Sequence, residues 1–595
     1  MGVSRLRRRW KLPDEGAVRR TEDLSRSLGV PRAFAAVLVS HGVDSEEEAR
    51  KFLSPDLSML HDSSLLPDIE PAVERLLRAI GDRERVFVCG DYDVDGITST
   101  VLVMKCLAAA GLEVGFYVPN RLTEGYGLSE AGIAVARDSG ARLIVTVDSG
   151  ITGHREIDIA RDAGIDVIVT DHHEPQDDLP DAVAVVDPKR KDSVYPYKHL
   201  AGVGVAYKVM TALARAVGDP ERARVASLRE GAAEGVDPVA ALGHSVEENI
   251  DLVAVGTVAD IVPLTSENRV LTAFGLERLR NTSNPGLRAL MEIAGVEPSQ
   301  ARASHIGFAL GPRLNAAGRL GDAAVGVELL TTGDHATAMA IARKLDAENK
   351  KRRSLESVVF DDAKRMLEET VDLASRRSIV LWSDEWHPGV IGIVASRLAR
   401  EYNRPTLLLS VSDGHCKGSG RSIPGFDLHA ALLGCRDSLE SFGGHRHAAG
   451  VSLAEGRLTE FRDRVEEAVA ATLGPEDLIP EVELDALVTL GECDYDLVRH
   501  LDRMAPFGAG NSEPVFGTRS LKLISARAVG TNHLKLTVAQ GERSMDAIGF
   551  GMAGALAELR DGGGVVSLAY VLEENTWRGQ TSLQLRLKDV QPEYY

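Results

Sequence analysis

The sequence predicts an α/β protein. It has a parallel-sheet domain, a smaller second α/β domain joined to it by a long helix, and a C-terminal β-barrel of the OB type. Three observations carry this expectation. Between Arg85 and Val186, short apolar runs alternate with helical stretches, the signature of βαβ units and a sheet buried on both faces. From Leu345 to Thr370 the chain is polar and free of Gly and Pro, as a solvated connecting helix would be. After about residue 475, short segments alternate apolar with polar and are separated by glycine-containing turns.

In chain order, residues 1–80 read as a helical introduction. The parallel-sheet domain is placed at 81–335. Its strands are RVFVCG, EVGFYV, ARLIVTV, DVIVT and AVAVV, with helices at ITSTVLVMKCLAAAG and near 155–163. Gly111 closes the first of these helices as a left-handed C′ residue would. A helical region follows from about 200 to 345, and the Ala-, Glu- and Gly-rich stretch 219–248 matches no element. The connecting helix is placed at 336–372 and the second α/β domain at 373–475. There RSIVLW and PTLLLSV are strands, and GVIGIVASRLAREY and FDLHAALLGCRDSLESF are helices. The barrel is placed at 476–595, with strands EVELDALVTL, LKLISARAV, HLKLTVAQ, VVSLAYVL and TSLQLRLKDV.

Composition narrows the function. The chain has 595 residues, 44% hydrophobic and 26% charged, ordinary for a globular protein. Acids outnumber Lys and Arg by 88 to 68, a net charge of −20, whereas a protein that merely coats nucleic acid is normally basic overall. An enzyme with a local basic channel need not be. The five cysteines form no CxxC pair, which speaks against zinc fingers and a disulfide framework and for a reducing compartment. No run of eighteen apolar residues occurs, and the basic N-terminus is followed by no secretory apolar stretch. The expectation is a cytoplasmic protein without a membrane partner.

Chemistry concentrates at predicted strand ends. The first strand runs into Asp91-Tyr92-Asp93-Val94-Asp95-Gly96, the third into Asp148-Ser149-Gly150, and the fourth into Asp171-His172-His173. In an open parallel sheet, ligands bind beyond the carboxyl ends of the strands. Asp260, after the apolar run VAVGTVA, is a fourth candidate. So many like charges repel unless cations sit among them, and Mg²⁺ or Mn²⁺ suits carboxylate and imidazole. Two such ions about 4 Å apart would clamp the attacking and leaving oxygens of a phosphoryl transfer. An EF-hand reading of DxDxDG fails, because the twelfth loop position is Leu102 rather than Glu and a strand precedes the loop. Taken singly, each motif has a plainer reading: a solvated acidic turn, polar loop histidines, or a helix N-cap. Adjacent residues on extended backbone point oppositely, so His172 and His173 are not expected to serve one ion.

DYDVDG, VDSG, TDHHEP and GTVADIVPL, in that order, resemble the four motifs of the DHH phosphoesterase superfamily. GPRLNAAGR, FGGHRHAAG and PFGAGNSEPVF extend the resemblance to its single-stranded-DNA-specific 5′→3′ exonuclease branch, across roughly residues 30–595. The resemblance implies that Asp93, Asp95, Asp148, His172 and Asp260 hold two Mn²⁺ or Mg²⁺ ions, with Asp95 and Asp148 shared. It places Asp91 behind them, gives His173 a proton-transfer or phosphate role, and lets Asp171 orient His172. Cys89 stands where many members carry a ligating His. The second α/β domain resembles the DHHA1 domain, whose Gly443, Gly444 and His445 would meet substrate from a turn. Arg313, and less directly Arg397 and Arg421, are the phosphate-binding candidates. The implied activity is release of mononucleotides from single-stranded DNA in repair and recombination. The strand would pass between the two α/β domains, and single-strand-binding protein and a RecQ-type helicase would be the partners. Lys522, Lys535, Arg578 and Lys588 would hold the strand on the barrel. Rival readings are a phosphodiesterase for short oligoribonucleotides or cyclic dinucleotides, a non-catalytic replication relative, and an inorganic pyrophosphatase. The first and third would not need the barrel, and the second should have lost motif acids, all of which are present.

Overall fold

The computed structural model describes residues 8–12, 16–121, 123–219, 222, 238–561, 563–577 and 579–593. Most of the stretch 219–248 and the barrel residue Arg578 therefore lie outside the described residues. The chain divides into two compact units, one of residues 55–351 with 505–512, the other of residues 1–54, 352–504 and 513–595.

The first unit is built on a five-stranded sheet. In spatial order its strands are Val114–Tyr117, Val86–Cys89, Leu143–Val147, Asp166–Thr170 and Ala184–Val186, each parallel to its neighbours. In chain order this is 2-1-3-4-5, a doubly wound arrangement whose switch point lies between the first and third strands. Both faces are covered, which explains why these strands read as unbroken apolar runs rather than alternating ones. Helices Ile69–Asp82 and Gly202–Gly218 pack with one face, while Ile133, Ile157 and Ala160 pack with the other. Helix Val94–Ala109 is buried along nearly its whole length and is capped by Asp93.

The run before Asp260 is helix, not strand. Ile250–Ala259 is apolar nearly all round, Asp251 apart, because it lies inside the unit, between cores on both flanks. A buried helix and a buried strand share that pattern, so periodicity could not separate them. The segment Ala505–Ser512, which takes in the first seven residues of PFGAGNSEPVF, belongs with this unit. The Leu264 amide donates to the Ala509 carbonyl at 2.7 Å, and a Cβ on Gly508 would come within 2.6 Å of Leu264.

The connecting helix runs from His335 to Thr370, about 54 Å at 1.5 Å per residue. In the second unit, the DHHA1-like sheet has the order Ser441–His445, Ala448–Ala454, His415–Arg421, Thr406–Ser412, Ile379–Ser383. Only the last pair is parallel. Leu407 and Leu409 pack with Phe461 and Val465 on one face; Leu408 packs with Val390 and Val394 on the other. Two expectations are corrected here. The helix expected over FDLHAALLGCRDSLESF spans only Leu428–Gly434, started by the Asp427 cap and followed by a short 3₁₀ turn at Arg436–Ser438. Gly443, Gly444 and His445 form an edge strand instead of a turn. Small residues without apolar alternation gave that strand no sequence signal.

The barrel closes through five strands: Phe516–Val529, His533–Gln540, Arg543–Gly549, Gln580–Pro592 and Val565–Trp577, the last returning to the first. Its first strand bends at two irregularities, so one half pairs with Val565–Tyr570 and the other with His533–Gln540. The expected set needs one exchange. Within EVELDALVTL only Glu481–Glu483 and Ala486–Leu487 are strand, and neither is a stave of the barrel. Arg543–Gly549 takes that place, its inward positions filled by Met545, Ala547 and Gly549. The introduction is not wholly helical. Arg9–Lys11 is a strand paired in parallel with Glu481–Glu483, and Trp10 donates its Nε1 hydrogen to Asp589 at 2.7 Å.

Candidate metal centre

Asp93 begins the site as a helix cap. One carboxylate oxygen accepts from the amides of Asp95 and Gly96 at 2.9 and 3.2 Å, which starts helix Val94–Ala109 and leaves the other oxygen for a ligand. Asp95, in that helix's first turn, accepts from the amides of Gly202 at 2.7 Å and Val203 at 2.9 Å. A buried carboxylate thus sits on the N-terminus of helix Gly202–Gly218, where the helix dipole favours negative charge. Burial first, and Asp93 second, nevertheless push its carboxyl up to about 7.

Asp148 follows its strand in the left-handed region, at φ 56°, in a turn that Ser149 and Gly150 complete. Its Oδ1 lies 3.1 Å from His172 Nε2. That nitrogen is also 3.7 Å from Asp260 Oδ2 and 3.9 Å from Asp95 Oδ2. The His172 ring donates its other N–H to the Leu200 carbonyl, and burial drives it down to about 3, so it is neutral with a lone pair on Nε2. Asp148 and Asp260 are both held well above the usual carboxylate range, by burial and then by Asp95.

Four buried atoms here have no hydrogen-bond partner: Asp91 Oδ1, Asp148 Oδ1, His172 Nε2 and Asp260 Oδ2. Buried acceptors left facing one another are costly, and bound cations relieve that cost. Candidate ligand atoms fall into three overlapping groups, within each of which they lie no more than 4.8 Å apart: Asp91, Asp93 and Asp148; Asp95, His172 and Asp260; Asp148, His172 and His173. Hard oxygens with imidazole and no thiolate suit Mn²⁺ or Mg²⁺. Cys89 belongs to none of these groups; it is buried in its strand, which pushes its thiol up to about 12.

Two details depart from the sequence reading. Asp171 holds His173 rather than His172. One of its oxygens accepts from His173 Nδ1 at 2.7 Å and from the amides of His172 and His173, while the other accepts from Ile151. Because residues 171–173 curl around that carboxylate beyond the strand end, the two imidazoles do not point oppositely. Their ring centres are 4.4 Å apart. Burial alone would lower His173, but the bond to Asp171 and its charge raise it overall.

The phosphate-binding candidates are placed as follows. Arg313 is engaged with Asp346, Nε to Oδ1 at 3.0 Å, and with the Ala309 carbonyl. The Arg397 guanidinium stacks 3.6 Å above the Phe360 ring. Arg421 bonds Ser419 and the Gly420 carbonyl. It shares a register line with Ala448 and His445, and Gly443, Gly450 and Ser419 form the next line on the same sheet face.

Sequence reasoning missed several residues that shape the site. Gly202 donates to Asp95, and a Cβ there would lie 2.7 Å from Asp148 Oδ1. Tyr126 donates to the Asp148 carbonyl at 2.7 Å and lies 2.8 Å from His173 Nδ1. Asp187, pushed up to about 8 by burial and Asp171, ends the fifth strand, so the strand-end rule could have found it. Asn315, in GPRLNAAGR, accepts from the Val94 amide at 3.2 Å.

Comparison with known proteins agrees with this geometry. The DHH family N-terminal domain matches residues 85–231, the DHHA1 domain 376–471 and the RecJ OB domain 484–589. The chain is 40% identical to the single-stranded-DNA-specific exonuclease RecJ of Dickeya dadantii over 95% of its own length and 96% of that protein's. With the Escherichia coli protein of the same name it shares 38% identity, covering 96% and 97% of the two chains. The crystal structure of RecJ from Thermus thermophilus in complex with Mn²⁺ superimposes with a TM-score of 0.81 at 30% identity, over 99% of this chain and 80% of that one. A metal-ready cluster at the switch point of a DHH sheet, followed by DHHA1 and OB domains in order, accounts for nearly the whole sequence: the chain belongs to the RecJ family of single-stranded-DNA-specific exonucleases.

Proposed function

We propose that the protein is a metal-dependent exonuclease that degrades single-stranded DNA from its 5′ end to mononucleotides, serving DNA repair and recombination. The observation that carries this reading is the set of four partnerless buried acceptors at the sheet's switch point. Asp93, Asp95, Asp148, His172 and Asp260 would hold two Mn²⁺ or Mg²⁺ ions, with Asp91 a further ligand through its free oxygen. When bound, the ions supply activation of water and neutralisation of charge on the phosphoryl oxygens. The amides of Gly202 and Val203 orient Asp95, and the Leu200 carbonyl fixes the His172 tautomer. With Nδ1 committed to Asp171, His173 presents Nε2 to the substrate, where it contacts a phosphate oxygen or gives a proton to the departing 3′ oxygen.

On the DHHA1-like sheet, Gly443 and Gly444 permit close approach of a sugar–phosphate backbone, flanked by His445 and Arg421. Arg397 packs on Phe360 and Arg313 holds Asp346, so we assign both to positioning rather than to first contact. Single-strand-binding protein and a RecQ-type helicase are the partners the family reading suggests. The test is hydrolysis with Mn²⁺ of strands labelled at the 5′ or 3′ end, beside duplex DNA, an RNA dinucleotide and pyrophosphate. Early release of the 5′ label as mononucleotide from single strands is expected. Preference for the RNA dinucleotide or pyrophosphate, or release from the 3′ end first, would sink the reading.

A further inference from the structure

Phe308 is the most exposed large apolar side chain among the described residues, at 87%. Isolated exposed apolar residues are common and by themselves mean nothing. This one sits in a particular place. It lies on a π-helical turn, Ile306–Leu310, that runs into helix Gly311–Leu320. Pro312 accounts for the wide turn, because its ring would collide with the Phe308 carbonyl four residues earlier in an ordinary helix.

One row of this helical stretch faces the metal centre. A Cβ on Gly307 would lie 3.9 Å from Val258, and one on Gly311 3.5 Å from Ala259, both in the last turn before Asp260. Asn315 then reaches the Val94 amide, and a Cβ on Gly318 would meet the Tyr92 carbonyl at 2.4 Å. The row thus passes from the Asp260 end of the site to the Asp91–Asp95 loop, and Phe308 is the immediate neighbour of its first member. The residue after Asp260, Ile261, is also exposed, at 74%, and holds a left-handed φ of 63° that a β-branched side chain rarely adopts. Two exposed apolar side chains, one of them on left-handed backbone, thus stand next in sequence to Gly307 and Asp260 on this side of the site.

We propose that Phe308 is a stacking platform for a nucleobase of the bound strand, a positioning residue that helps select single strands because a duplex hides its base faces. The inference rests on the exonuclease reading above. An aromatic face suits any base, because every base has a π-face to stack on it.

The experiment measures kcat/KM on 5′-phosphorylated strands, each carrying one tetrahydrofuran abasic residue at a successive position. Wild type, Phe308→Ala, Phe308→Leu and Phe308→Tyr are compared, with circular dichroism to confirm folding. In wild type, removing the stacked base should cost about 5- to 150-fold at one position. Phe308→Ala should cost a similar factor on intact strands and make that abasic position silent. Phe308→Tyr should restore the wild-type profile, and Phe308→Leu, which keeps apolar bulk, should not. Equal activity of wild type and Phe308→Ala on intact strands would overturn the proposal. So would a uniform loss that leaves the abasic profile unchanged, the mark of a structural role. Wild-type protein inert on every single strand would instead overturn the exonuclease reading itself.

Discussion

Replacing Gly202 by alanine should disable the metal centre while sparing the fold. An added Cβ would lie 2.7 Å from both Cβ and Oδ1 of Asp148 and 2.9 Å from its Cγ. Non-bonded carbon atoms settle at about 3.5–4.0 Å, so the Asp148 side chain must retreat by roughly 1 Å. The Gly202 amide also donates to Asp95, so the same disturbance reaches both carboxylates that the two ions would share. A displacement of about 1 Å at a reacting centre is worth about 100-fold in rate. Stability should change little, because overpacking costs about 1–3 kcal/mol and removing a helical glycine returns up to about 1 kcal/mol. Mn²⁺ titration calorimetry, thermal melting and strand hydrolysis together test this. Expected are Mn²⁺ affinity lower by about 10- to 100-fold, kcat/KM lower by about 100-fold, and a melting profile within a few degrees of wild type. Gly204→Ala, whose Cβ would meet the Leu200 side chain no closer than 3.3 Å and touch no carboxylate, is the control and should behave as wild type. Wild-type Mn²⁺ affinity and rate in Gly202→Ala would refute the geometric reasoning.

Three further outcomes follow from the site and the barrel. Asp95 is raised to about 7 when folded and would return to about 3.8 when unfolded. The metal-free protein should therefore lose stability as pH rises from about 4 to 7, and Asp148 and Asp260, raised as well, carry the loss in the same direction. Mn²⁺ must displace protons from these carboxyls, so its apparent affinity should climb as pH rises toward 7. Calorimetry in buffers of different ionisation heat would show the released proton, and no release at pH 6 would contradict the assignment. Asp171→Asn should lower kcat by about 10- to 100-fold. It should also move the alkaline limb of the rate profile to lower pH, since the carboxylate that raises His173 is gone; an unmoved limb would remove His173 as the proton donor. On the barrel, Lys535 is paired with Asp546, whereas Lys522 and Arg527 are exposed. Replacing each of the latter by alanine should reduce the log–log salt dependence of single-strand binding by about 0.7 per phosphate contact. An unchanged slope would mean that the barrel only buttresses its neighbours.

Much of the centre was legible in the sequence because the carboxyl ends of parallel strands are fixed by topology. Asp91, Asp93, Asp95, Asp148, Asp171, His172 and His173 all follow apolar runs of strand length, and the sheet gathers them. What was not legible depended on backbone direction or on distant partners. That His172 and His173 converge follows from the turn around Asp171, which a strand-based rule cannot foresee. Gly202 and Asn315 matter through contacts more than a hundred residues away, and nothing local marks them. Arg313, Arg397 and Arg421 each have a protein partner, and sequence cannot tell a guanidinium held by Asp346 or Phe360 from one waiting for phosphate.

The pairing of Arg9–Lys11 with Glu481–Glu483 sets a timetable for synthesis. Residues 55–351, nearly all of the parallel-sheet unit, leave the ribosome as one continuous stretch and can fold at once. The strand Arg9–Lys11 emerges before them, yet its partner lies 472 residues downstream. At about 5–20 residues per second it waits roughly 25–95 s, longer still for Asp589 to receive the Trp10 hydrogen bond. Throughout that interval the segment has no partner strand, and the Arg9 and Lys11 charges that flank Trp10 disfavour its pairing with another nascent chain.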